Sequence, residues 1–184
     1  MAIEGIPAVP CAAGSARLRR PVVMAFLMAA LCLAGCVSNN TRIADIGCVT
    51  ARAHLDKGVA SYNQIEIANP LDEHAPKVWL RLPDGKIIDR PWFTFGNLQA
   101  AGFVNVADKE YQPGSVYDHE LTAYGASFLF TGGTIALLRV IETPDKKIGI
   151  CLEHGKKFFT LPMTQQELEQ LFGKPDKISD KWRL

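Results

Sequence analysis

The chain has 184 residues, with 20 basic against 19 acidic side chains and 48% hydrophobic residues. That length encloses a real core in a single domain, and two domains would be cramped. A balance near zero, without long like-charge runs, gives no support to nucleic acid or an acidic polymer as partner.

Arg17, Arg19 and Arg20 precede the apolar run Val22–Leu33, which ends in Leu33-Ala34-Gly35-Cys36. A cationic start, a short apolar middle and small residues at its close are the layout of an export signal. A spanning helix needs roughly 20 apolar residues, and a run of about 10–14 fits the middle of a signal better. Ser38-Asn39-Asn40 ends the run, which argues against the rival reading of an uncleaved anchor. Leu33-Ala34-Gly35-Cys36 resembles the lipobox of bacterial lipoproteins. The resemblance implies cleavage before Cys36, acylation of that cysteine, and the lipid bilayer as a partner through it. Val37 stands where an aspartate resembles an inner-membrane retention signal, so by the same resemblance the expected address is the outer membrane, facing the periplasm. Residues 1–35 are then a signal peptide, 36–43 a lipidated tether and 44–184 one globular domain.

Cys11 and Cys32 leave with the leader, so Cys48 and Cys151 are the thiols of the mature chain. An even pair in an oxidising compartment reads as one disulfide. It would close a loop of ~100 residues, worth up to ~4–5 kcal/mol in the chain-entropy model. Two unpaired buried cysteines, or a reactive thiol, are the alternatives.

From Ala44 to Ile67 two periods compete. Val49, Ala51, Ala53 and Leu55 alternate with polar residues as in a strand, while the alanines and the spacing Ala51, Leu55, Val59, Tyr62 favour a helix broken or capped at Gly58. The helix is the expectation. Asn69–Pro76 reads as loop. Val78, Leu80 and Leu82, then Pro83-Asp84-Gly85 and Lys86-Ile87-Ile88, predict a β-hairpin. Asn97 predicts the cap of a short helix ended by Gly102, with a strand at Phe103–Val106. Asp108–His119 has no regular pattern. Ala126–Phe130, Thr134–Ile141, Ile148–Leu152 and Phe158–Leu161, separated by turn residues, predict an antiparallel meander. Thr164-Gln-Gln-Glu167 is a capping box, with Met163 and Leu168 as its hydrophobic staple, and the helix stops at Gly173 and Pro175. The stretch Met163–Asp176 resembles the first-helix motif of the SmpA/OmlA type of outer-membrane assembly lipoproteins. In that family the motif opens the domain and strands follow it, and no function is carried over from it.

Catalytic motifs are sparse. The four histidines, His54, His74, His119 and His154, never pair at ligand spacing on one element, so no metal site is expected. No glycine-rich phosphate loop supports a nucleotide or other cofactor. Gly125-Ala-Ser127-Phe-Leu129 lacks the closing glycine of a nucleophile elbow. If Ala44–Tyr62 is helical, Cys48 sits near a helix N-terminus that would lower its thiol pKa, with His119 or His154 as base. Peptidoglycan amidases of the NlpC/P60 type use such a pair. Their Asp-Cys-Ser/Gly-Gly pattern is replaced here by Ile46-Gly47-Cys48-Val49.

Aromatic residues near turns offer a partner-binding surface instead: Trp92, Tyr111, Tyr117 and Tyr124, with His119 between Asp118 and Glu120. The competing and favoured reading is that Trp92, Phe93 and Phe95 are core and the tyrosines lie on strand edges. The expected fold is α+β, an antiparallel sheet of five or six strands with two or three helices. The expected function is a non-catalytic, membrane-anchored accessory module that binds a periplasmic protein. An immunity or inhibitor protein, plugging a hydrolase with the Asp108–His119 loop, is the alternative. A cysteine-dependent cell-wall hydrolase is the third reading.

Overall fold

The computed structural model describes residues 40–106, 116–145, 147–153 and 156–181. Residues 38–184 belong to one compact unit. Twelve strands and two α-helices are described, all strand pairing is antiparallel, and the fold is mostly β.

The N-terminal segment expected to be helical is three strands: β1 (Thr41–Ile46), β2 (Val49–Asp56) and β3 (Val59–Ala68). The period-2 signal wins because it puts Val49, Ala51, Ala53 and Leu55 on the core face and leaves His54 and Asp56 exposed. Gly58 is no helix break. It follows Lys57 in the β2–β3 turn, and both residues have positive φ, 49° and 82°. Two-residue hairpins need this conformation because it matches the right-handed strand twist. The same device recurs at Tyr124-Gly125 and Gly132-Gly133.

The predicted hairpin forms β4 (Trp79–Arg81) and β5 (Ile87–Ile88), and a 3₁₀ turn follows at Arg90–Trp92. Helix α1 (Phe95–Ala100) is capped one turn earlier than expected. Thr94 is the cap, and its Oγ1 accepts from the Asn97 N–H at 3.4 Å. Next come β6 (Val104–Asn105), β7 (His119–Ala123), β8 (Ala126–Thr131), β9 (Thr134–Ile141), β10 (Gly149–Cys151) and β11 (Phe159–Thr160). The capping box forms as predicted at helix α2 (Gln165–Phe172). Strand β12 (Lys177–Lys181) follows it and was not expected.

The strands make an eight-stranded sheet in the order β12-β1-β2-β3-β9-β8-β7-β6 and a four-stranded one in the order β11-β10-β4-β5. The expected count of five or six strands is therefore too low. The shortfall comes from the misread N-terminal strands, the edge strand β12 and very short strands such as β5, β6 and β11.

Both sheets contribute to one hydrophobic core, with Tyr62, Ile65, Phe128 and Leu138 from the larger sheet and Leu80, Ile88 and Ile150 from the smaller. Helix α2 packs on β3, and Leu168 and Leu171 point inward. Alanines 44, 51, 53 and 60, read above as a helix signal, are small core residues. Ala53 stands directly opposite Tyr62, where the small side chain leaves room for the phenol ring.

Candidate functional site

Along β1, β2, β3, β9 and β8 the residues between the core positions point to the other face of the large sheet. They fall into register as a polar row: Lys177 opposite Asp45, Asp45 opposite Thr50, Thr50 opposite Glu66, Glu66 opposite Arg139, Arg139 opposite Ser127, and Ser127 opposite Thr122. Three of these neighbouring pairs are joined by side-chain hydrogen bonds. Thr50 Oγ1 donates to Asp45 Oδ1 at 3.0 Å, Arg139 Nε to Glu66 Oε1 at 2.9 Å and Ser127 Oγ to Thr122 Oγ1 at 3.2 Å. Glu66 is the hub. It also accepts from Gln64 Nε2 at 2.8 Å and lies 3.6 Å from Arg52 Nη2, and its side chain is only 16% exposed. A carboxylate this enclosed needs that many partners, since an unpaired buried charge is costly.

Beyond Glu66 the sheet has a β-bulge. Arg52 pairs with Gln64 and Ala53 with Tyr62, so Asn63 has no partner on β2. A bulge bends its strand and re-aims side chains. Here Asn63 and Gln64 both line a groove of about 440 Å³, whose other walls are Thr41, Ile43, Arg52, Ala53, His54 and Lys181.

The residues expected to form an aromatic partner surface are spread out. His119 is exposed at the start of β7, where its ring lies edge-on to Phe95 at 5.7 Å. Tyr124 lies beyond the other end of β7, its ring edge-on to Phe103 at 6.3 Å. Tyr117 is half-buried and Tyr111 lies outside the described residues. Trp92 is half-buried, with Lys86 Nζ 3.9 Å from its ring centre. Of its neighbours, Phe93 is core, 5.0 Å from Phe128.

Cys48 and Cys151 are both free thiols, so the expected disulfide is not formed. Cys48 occupies the β1–β2 turn, and Cys151 ends β10 in the other sheet, where its Sγ donates to the Glu153 carbonyl at 2.9 Å. The premise that Cys48 heads a helix also fails, because the segment is β-sheet and the thiol gains no helix-terminal field. Ser127 is bonded to Thr122 and not to a histidine. Cys36 and His154 lie outside the described residues. Among the described residues no three His, Cys, Asp or Glu side chains converge as a metal site, and no helix is long and apolar enough to cross a membrane.

Sequence reading missed the polar row because a helical reading of the Ala44–Ile67 segment scatters Asp45, Thr50 and Glu66 around a cylinder. The available signal was the alternation Thr50, Arg52, His54, Asp56 against Val49, Ala51, Ala53, Leu55. Comparison of the chain with protein-family models, with curated proteins and with solved structures returns no match.

Proposed function

We propose that this protein is a lipid-anchored, non-catalytic binding module of the bacterial envelope, tethered through acylated Cys36. Its contact surface is the polar face of the eight-stranded sheet. Leu33-Ala34-Gly35-Cys36 supports the tether. The observation that carries the binding role is the hydrogen-bonded group of Gln64, Glu66 and Arg139 on that face. Solvated side chains on a sheet ordinarily lose rotamer freedom when a partner docks, at about 0.5–1.5 kcal/mol each. Here Asp45 with Thr50, Glu66 with Arg139, and Ser127 with Thr122 are already bonded, so docking over these pairs costs less further ordering.

The test is photo-crosslinking in intact envelopes with the full chain. A photoreactive residue at Thr50, on the row, is compared with one at Val59, exposed on the β2–β3 hairpin. One discrete adduct from Thr50 and none from Val59 is expected. Equal labelling from both sites, or none, rejects this surface. Mass spectrometry of the mature chain tests the anchor separately, with acyl chains on Cys36 and their loss in Cys36→Ser expected.

A further inference from the structure

The groove at the bulge has a one-sided chemistry. Arg52, His54 and Lys181 bring cationic or protonatable heads, Asn63 and Gln64 bring amides, Thr41 brings a hydroxyl, and among the described residues no carboxylate lines it. Glu66, the acid beside Arg52, is already engaged by Arg139 and Gln64. Arg52 meets Glu66 only at 3.6 Å, beyond hydrogen-bond length, and its side chain is 41% exposed. Most of its five-donor fork is therefore available to the groove.

The ladder sets the placement. Lys181, Thr41 and His54 stand side by side on one rung of β12, β1 and β2, and Ile43, Arg52 and Gln64 are on the next rung of β1, β2 and β3. Strands lie about 4.8 Å apart, so Lys181 and His54 start about 10 Å apart across Thr41. Two flexible or forked side chains reach a common anion across that span. Donors converging from four strands suit a tetrahedral anion with several acceptor oxygens, whereas a planar carboxylate is satisfied by one arginine fork.

We infer that this groove binds a phosphate group, with Arg52 and Lys181 as its principal cations and His54, Asn63 and Thr41 completing the shell. The favoured source is a lipid headgroup, and that clause rests on the tether reading above. An acylated Cys36 precedes Thr41 by five residues, and an extended chain advances at most ~3.5 Å per residue, so the linkage never exceeds about 18 Å. A soluble phosphate-bearing ligand is the other source of the same chemistry.

The test uses the full chain in detergent, with the His54 imidazole signal followed by NMR during titration. Inorganic phosphate should give a saturable shift. The double variant Arg52→Gln/Lys181→Gln should weaken binding roughly tenfold or more, while Arg52→Lys, which keeps the charge, weakens it less. Unchanged core methyl signals show that the variants are folded. No saturable shift with phosphate at tens of millimolar, or an unchanged affinity in the folded double variant, overturns the site. Short-chain phosphatidylglycerol in place of phosphate separates the sources. Tighter binding than phosphate assigns the headgroup, and equal or weaker binding assigns a soluble ligand. The Cys36 mass measurement keeps the two readings apart, because phosphate binding without acylation retains the groove and removes only the bilayer as its source.

Discussion

Tyr62 joins three parts of the molecule through one residue. Its ring is fully buried, its backbone exchanges two hydrogen bonds with Met163, and its hydroxyl donates to Gln165 Oε1. Burial raises the phenol pKa, Asp180 and Glu169 push the same way, and Arg42 opposes them. The folded chain therefore holds the proton more tightly than the unfolded chain does. That contribution is fully present below the unfolded value of about 10 and is lost as pH rises through the folded value. Tyr62→Phe is expected to cost about 1 kcal/mol at neutral pH and to flatten the alkaline limb of stability, as read by urea melts across pH. A second residue-scale prediction concerns Gly125. Its φ is +83°, and an added Cβ would lie 2.6 Å from the Ile141 carbonyl oxygen, which accepts no such approach. Gly125→Ala should lose about 1–3 kcal/mol, measured by the same melts, and a neutral result would mean that the β7–β8 turn rearranges freely.

Among the elements, α2 was the one most fully legible, because every signal that makes it is local. Thr164 Oγ1 accepts from the Glu167 N–H at 3.2 Å, and a Glu167 carboxylate oxygen accepts from the Thr164 N–H at 3.0 Å. The backbone bond from Thr164 is the main cause holding the Glu167 carboxyl below its usual pKa. Thr164→Ala should cost about 1 kcal/mol in chemical denaturation. Strand β12 was illegible for the opposite reason. Lys177-Ile-Ser-Asp-Lys181 is an exposed edge with almost no apolar alternation, and partners far away in sequence hold it. Arg42 grips Asp180 with two bonds of 2.8 and 2.9 Å, and the Asp176 carboxylate accepts from the Gly47 N–H at 2.8 Å. The Arg42 hydrogen bonds depress the Asp180 pKa, so this contribution exists above the ordinary aspartate range and fades as pH falls through the depressed value. Asp180→Asn should lower the protection of the β12 amides at neutral pH and leave less of it to lose as pH falls below the ordinary aspartate value of about 4, as read by hydrogen exchange corrected for the intrinsic rate, with the Asp176 bond to Gly47 still titrating.

On the scale of the whole molecule, the two sheets and α2 share one core, so local damage is felt globally. Phe128 is fully buried between Phe93 at 5.0 Å and Phe103 at 5.3 Å. Phe128→Ala should cost about 3–5 kcal/mol and keep a single transition by both tryptophan fluorescence and circular dichroism. Two separated transitions would show that the sheets unfold independently.

The sequence by itself determined the hairpins at Pro83-Asp84-Gly85 and Gly132-Gly133, the capped helix α2, and the export-like layout ahead of Cys36. Each is written within a few adjacent residues, where turn conformation, capping and apolar run length act. Only the tertiary structure decided that Ala44–Tyr62 is sheet, that Cys48 and Cys151 stay apart as free thiols, and that β12 closes the edge. It alone lined up Asp45, Thr50, Glu66 and Arg139 and opened the groove at Asn63. The reason is that strand pairing, unlike helical bonding, takes its partners from distant sequence. A segment whose local periods are balanced, as at Ala51–Tyr62, is therefore settled by what it can pair with and bury.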